Sequence, residues 1–206
     1  MSIKVDTRGK LCPLPLMMLR KAIKENPEES EYEIWTDNEI SCSNLQDFIK
    51  RQGFQKEVTQ EEGYTSIRVN TGGQSISPRV PAAEEKKRSN ANSSEGFRVV
   101  QLRSDKMGRG DDELGGVLMM AFLNALKEQD TLPTHIICYN SGVKLAMNGN
   151  ETATILQELH AKGVEIIVCG TCVNYYDIRE SLALGIISNM FDIVEILSAA
   201  DSIVCP

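Results

Sequence analysis

Aromatic residues make up only 5% of this 206-residue chain, which holds two histidines and a single tryptophan. So little imidazole leaves few ligands for a zinc site. No run of residues approaches the ~18–20 apolar positions that a membrane helix needs. The N-terminus, MSIKVDTRGK, has no apolar stretch of the kind that marks a secretory leader. Net basic charge is missing too: 22 basic residues face 29 acidic ones, a balance of −7. Binding to nucleic acid needs a basic face, so neither nucleic acid nor a membrane is expected as partner. The six cysteines, 12, 42, 138, 169, 172 and 205, are too dispersed for the disulfide framework of a small secreted domain. A reducing cytoplasm is expected, with thiols that matter for their chemistry.

The sharpest change of composition lies in residues 73–95. This stretch holds two prolines, five serines and seven charges, with almost no large apolar residue. It reads as a flexible linker, because it has too little apolar surface to offset chain entropy. Residues 1–72 and 96–206 then form two domains, both α/β. The first reads β-α-β-α-β-β, a two-layer sandwich. Its helices are expected at Leu14–Lys24, with Leu16, Leu19, Ala22 and Ile23 inward, and around Leu45, Phe48 and Ile49 up to Gly53. The second alternates short apolar strands (97–102, 136–139, 164–168, 202–205) with helices, as a parallel sheet covered on both faces does. Its long helix, Asp111–Glu128, is expected to turn Leu114, Val117, Leu118, Ala121 and Leu126 inward. Helical stretches are also expected at 152–162, near 176–184 and at 189–199. Sites in such sheets collect at the carboxyl ends of the strands.

The first chemical signal is Asp6-Thr-Arg8-Gly9-Lys10-Leu-Cys12-Pro13-Leu-Pro15. Proline fits the first helical turn, where its missing N–H has no partner to lose. Two prolines at this spacing fix the helix start and put Cys12 at or beside its N-cap. Free N–H groups there favour a thiolate, and Arg8 and Lys10 add positive charge. The plain alternative is a small buried cysteine beside an ordinary helix start.

The pattern D-x-x-G-x-x-C-P-x-P in a β-α-β-α-β-β chain resembles the TusA/SirA-like sulfur carriers over essentially all of residues 1–72. The resemblance implies that Cys12 accepts a sulfane sulfur as a persulfide and hands it to another thiol, with Asp6, Gly9, Pro13 and Pro15 as the flanking motif. A sulfur carrier needs a thiolate that both attacks and leaves.

The second signal is Cys169-Gly-Thr-Cys172, directly after an apolar strand. By itself a C-x-x-C is a redox dithiol, half a zinc site or an accident of core composition. Zinc would need two more ligands, and the chain has no second C-x-x-C. Lys144, after the preceding strand, either supports a thiolate or persulfide on Cys169 or is a solvated surface lysine. The glycines of Gly108–Gly116 lack the Gly-Lys-Ser/Thr ending of a phosphate loop. Asp111, Asp112 and Glu113 fit better as first-turn residues. Cys138 reads as core. Cys42 is ambiguous. Cys205 is an exposed tail thiol or a strand-end core residue. His135 and His160 read as ordinary surface or strand-edge residues.

The runs Lys106–Gly115, Tyr139-Asn140-Ser-Gly-Val-Lys144 and Val168–Cys172 resemble a DsrE-like domain over residues 96–206. The order of the two domains resembles the YedF type, which is linked to selenium metabolism. This resemblance implies that Cys169 accepts sulfur, with Asn140 and Lys144 as supporting positions, and that the chain self-associates through this domain. Cys172 departs from the single-cysteine relay pattern and allows a persulfide to be resolved as a disulfide.

The expectation is a relay of sulfur, or selenium, from a donor such as a cysteine desulfurase through Cys12 to Cys169 or a partner thiol. No metal, nucleotide or organic cofactor is required. The rival is a regulatory module in which Cys169 and Cys172 toggle as a redox switch. An RNA-binding role for the first domain is disfavoured by its charge of −2 and by its lack of an aromatic-basic patch.

Overall fold

A computed structural model describes residues 2–74, 76 and 96–206. The expected linker 73–95 lies outside the described residues except at positions 73, 74 and 76. The chain divides into two compact units, one N-terminal and one C-terminal.

The N-terminal unit runs β1 (Ile3–Asp6), α1 (Leu14–Glu25), β2 (Glu31–Thr36), α2 (Glu39–Gln52), β3 (Gln55–Glu61) and β4 (Tyr64–Asn70). The sheet order is β1-β2-β4-β3. β1 runs parallel to β2, and the other pairs are antiparallel. Pro13 is the N-cap of α1 and Pro15 lies in its first turn. α2 starts at Asn38, whose side chain accepts from the Ser41 N–H at 2.9 Å. It stops at Gly53, whose φ of 75° fits a left-handed C-cap. Leu16, Leu19 and Ile23 of α1 meet Leu45, Phe48 and Ile49 of α2 in the core over Ile34, Ile67 and Val69. β3 is an exposed polar edge strand, a composition that discourages edge-to-edge pairing.

The C-terminal unit is a five-stranded parallel sheet in the order β8-β7-β6-β5-β9. Its strands are β5 (Arg98–Leu102), β6 (His135–Cys138), β7 (Glu165–Cys169), β8 (Ile186–Ser188) and β9 (Ser202–Val204). Its helices are α3 (Asp112–Lys127), α4 (Glu151–Ala161), α5 (Gly170–Tyr175) and α6 (Met190–Ala199), with 3-10 turns at Asn140–Ala146 and Arg179–Ser181. Alternate strand residues feed two cores. Val100, Leu102, Ile136, Cys138, Ile166 and Val168 pack under Met119 and Leu123 of α3 and Leu156 and Leu159 of α4. Val99, Ile137, Ile167 and Cys169 pack under Ile193 and Ile196 of α6. This is the three-layer arrangement expected of a parallel sheet.

Several local expectations are corrected. α3 does not bury the stripe expected of it. Leu114, Val117 and Leu118 are 56%, 62% and 41% exposed, Ala121 is exposed and Leu126 half-buried, while Gly115, Met119 and Leu123 face the core. The helix is apolar nearly all round, so its periodicity does not choose a face. Close approach chooses it: a Cβ on Gly115 would stand 3.1 Å from Lys106 Cβ and 3.2 Å from the Met107 carbonyl. The stretch near 176–184 holds a short 3-10 turn. The helix there begins earlier, at Gly170, and β8 is an additional strand. His135 is fully buried, edge-on to Phe97, rather than on the surface.

Candidate functional site

In the N-terminal unit, the loop between β1 and α1 carries the motif. Asp6 ends β1, and its carboxylate accepts from the Arg8 backbone N–H at 3.1 Å and from the Arg8 guanidinium at 2.9 and 2.6 Å. The side-chain contact, with the Arg8 backbone N–H behind it, holds the Asp6 carboxyl down at about 2. The same guanidinium lies over the rings of Trp35 (5.2 Å) and Tyr64 (5.1 Å). Arg8 thus serves to brace the loop. Gly9 takes a φ of 71° and donates its N–H to both Asp37 carboxylate oxygens at 2.9 and 2.8 Å. That conformation explains the glycine. Lys10 is exposed, and its backbone N–H closes a turn onto the Thr7 carbonyl at 3.1 Å.

Cys12 sits immediately before the N-cap Pro13 and is half-buried. Its sulfur accepts a hydrogen bond from the Asn44 side-chain amide at 3.0 Å. Asn44 is 3% exposed and belongs to the inward stripe of α2, with Ser41, Leu45, Phe48 and Ile49. Sequence reasoning missed it, although an asparagine at this spacing among core positions is the signal that finds it. Around Cys12 the surface is apolar: Leu11 is 67%, Leu14 48% and Met17 41% exposed.

In the C-terminal unit, Cys169 ends β7 and caps α5, and Cys172 lies on the first turn of α5. Cys169 is 1% exposed, whereas Cys172 is half-buried. The two side chains are hydrogen-bonded to each other. Cys172 also accepts the Asn140 backbone N–H at 3.1 Å. The Cys169 thiol and that N–H together hold Cys172 down at about 6, against partial burial, which works the other way. The contact with Cys172 and then burial push the Cys169 thiol up. Cys172 is therefore the thiolate of the pair at neutral pH and Cys169 its proton-bearing neighbour.

Asn140 reaches this position with a φ of 52°, a left-handed conformation that asparagine tolerates. Its side-chain oxygen accepts from the Tyr176 hydroxyl at 3.2 Å. The Lys144 ammonium lies 4.4 Å from the centre of the Tyr176 ring. Lys144 is thus linked to Asn140 by way of Tyr176. The turn holding both residues packs tightly on β5, because a Cβ on Gly142 would stand 2.1 Å from the Leu102 carbonyl oxygen.

The other thiols fall outside these clusters. Cys138 is fully buried, and burial pushes it up to about 12. Cys42 accepts from the Gln46 amide at 3.3 Å, and the exposed Cys205 lies 3.2 Å from Gln101 Oε1. Among the described residues no group of three or more His, Cys, Asp or Glu side chains is placed to hold a metal ion. No described helix is long and apolar enough to cross a membrane. Asp111 caps α3, with Asp112 and Glu113 in its first turn, as their positions suggested.

Comparison with known proteins follows the same division. The model of the sulfurtransferase TusA family matches residues 3–71, and that of the DsrE/DsrF-like family matches 89–206. The chain belongs to both families, one in each part. A protein of Archaeoglobus fulgidus is 34% identical over 66 residues, 32% of this chain and 90% of its own length. One of Methanocaldococcus jannaschii is 29% identical over 58 residues, 28% of this chain and 77% of its own length. Each bears the name "putative sulfur carrier protein". A solved SirA-like protein from Desulfitobacterium hafniense is 29% identical, covering 34% of this chain and 96% of its own, with a TM-score of 0.31. In the TusA part, Cys12 carries the Asn44 amide on its sulfur. In the DsrE/DsrF-like part, the dithiol takes that place.

Proposed function

We propose that this TusA–DsrE/DsrF-like protein relays sulfane sulfur as a cysteine persulfide, with selenium as the alternative cargo. The Cys12 thiolate attacks the outer sulfur of a donor persulfide, such as that of a cysteine desulfurase. A new S–S bond forms on Cys12 and the donor leaves as a thiolate. A second thiolate then attacks the same sulfur and Cys12 leaves. No oxidant and no metal are consumed. The exposed Leu11, Leu14 and Met17 suit a protein donor, since they offer apolar surface around the sulfur. A reducing cytoplasm fits the six free thiols.

The observation that carries this reading is that the motif cysteine of each unit presents a half-buried sulfur with an N–H donor on it, Cys12 from Asn44 and Cys172 from Asn140. Such donors favour an electron-rich sulfur. Exposure favours Cys172 over the buried Cys169 as the receiving atom of the second unit, within the chain, in a second copy or after a partner thiol. Loading with a sulfane-sulfur donor, followed by peptide mass spectrometry, tests it. Sulfur is expected on Cys12, and a Cys12→Ser variant is expected to load the C-terminal pair poorly from a protein donor. If Cys12 never carries sulfur and the variant loads as well as the parent, the relay is wrong.

A further inference from the structure

We propose that the C-x-x-C of the DsrE/DsrF-like unit discharges the cargo: Cys172 holds the sulfane sulfur and buried Cys169 resolves it, releasing hydrosulfide and leaving a Cys169–Cys172 disulfide. This rests on the relay reading, and adds to it a product and a division of labour between two neighbouring thiols.

Geometry separates the two roles. A carrier sulfur must meet other proteins, and Cys172 is the half-buried member of the pair. A resolving sulfur need reach only its neighbour, and Cys169, 1% exposed, is already hydrogen-bonded to Cys172. Cys169 caps α5 and Cys172 lies on its first turn, so the chain brings the two side chains into direct contact. Cys169 packs with Ile167, Ile193 and Ile196, so bulky outside thiols have no direct approach to it. The Asn140 N–H marks Cys172 as the sulfur that bears negative charge.

The step balances without an added oxidant. Cys172 starts as Cys172–S–S⁻. The Cys169 sulfur attacks Cys172 Sγ, and the Cys169–Cys172 bond forms. The bond from Sγ to the outer sulfur breaks, and its electron pair leaves on that sulfur. The proton lost by Cys169 goes to the departing atom, which leaves as HS⁻. Two thiol sulfurs are oxidised by two electrons in total, and the sulfane sulfur is reduced by two. A dithiol reductant of the thioredoxin class returns the pair to its starting state.

The test uses the full chain, reduced, desalted and kept anaerobic, with one equivalent of inorganic polysulfide as probe. Timed samples are alkylated and digested for mass spectrometry, and free sulfide is measured in parallel. The parent protein is expected to form Cys169–Cys172 disulfide and, above the sulfide left by the polysulfide itself on loading (read from the Cys169 variants), one further sulfide per disulfide. Cys169→Ala and Cys169→Ser should form no such disulfide and hold the Cys172 persulfide about tenfold longer. Agreement between the two variants, with circular dichroism matching the parent, separates lost chemistry from lost packing. If the parent keeps its Cys172 persulfide and forms no disulfide, or if both variants release sulfide at the parent rate, discharge is wrong while the relay stands. If no sulfur reaches Cys172 in any of the proteins but Cys12 still loads, discharge is wrong and the relay ends at another thiol. If neither Cys12 nor Cys172 loads, both readings fall together.

Discussion

The two units place a donor on a cysteine sulfur by opposite means. Around Cys12 the donor is a side chain, Asn44, carried on the buried stripe of α2. Around Cys172 it is a backbone N–H, aimed by the left-handed Asn140 and by a turn that only glycine at 142 allows to pack on β5. Cys12 also stands as a single thiol in an apolar surround, whereas Cys172 has a second thiol in contact. A side-chain donor can be deleted without moving the chain. A backbone donor can be removed only by distorting the fold around it. The N-terminal site is therefore expected to separate function from stability, and the C-terminal site to join them.

Gly142→Ala is the harshest test of that contrast. Its Cβ meets backbone rather than a flexible side chain, so the turn must shift. Stability of the C-terminal unit should fall by roughly 1–3 kcal/mol, a typical cost of overpacking. Sulfur loading at Cys172 should fall with it, while loading at Cys12 is unchanged. Denaturant titration and site-resolved mass spectrometry read the two effects; Cys172 loading at the parent level would show that the turn does not aim the donor.

Asn44→Ala comes next. Losing the N–H donor should slow alkylation and loading of Cys12 about tenfold, equivalent to about 1.4 kcal/mol for a hydrogen bond to a charged sulfur. Cys172 should not respond. Equal slowing at both cysteines would point to a general folding defect and would undo the comparison.

The pH dependence of Cys172 sharpens it further. The thiolate forms as pH rises through about 6. Its alkylation rate should therefore climb between about pH 5 and 7 and level off above, whereas an ordinary thiol keeps climbing through about 8.5. The Cys169→Ala variant loses the largest stabilising contact, so its Cys172 curve should move to higher pH. A parent curve that still rises steeply above pH 8 would contradict the site as described.

The smallest effect is expected from Tyr176→Phe. It removes the hydroxyl that donates to Asn140 Oδ1 but leaves the ring under Lys144. The Cys172 alkylation rate should drop by about twofold, in line with a single neutral hydrogen bond acting at one remove. No change would mean that Asn140 holds its conformation unaided.

The sequence made some of this visible and hid the rest for physical reasons. Proline at 13 and 15 marks a helix start without ambiguity, so the placement of Cys12 was legible. The β-α-β-α-β-β order was also legible, because strand and helix periods differ clearly in residues 3–70. α3 was not, since apolar residues surround it and only Gly115 against Met107 decides which side turns inward. β8 escaped notice because three residues carry too little periodicity. The division between Cys169 and Cys172 was hidden as well: one closes a buried strand and the other opens a helix, a difference of three positions that composition does not reveal. The donor on Cys172 is backbone, which leaves no trace in residue identity. Asn44 left one, a polar residue in an apolar stripe, and was legible in principle.

The decisive measurement is a pulse of labelled sulfane sulfur from a protein persulfide donor, followed by timed, site-resolved mass spectrometry on the full chain. Label should appear on Cys12 first and on Cys172 later, with the first signal falling as the second rises. Simultaneous labelling of both, or label on Cys172 in a Cys12→Ser variant at the parent rate, would show that the two sulfurs are loaded independently and that no relay joins them.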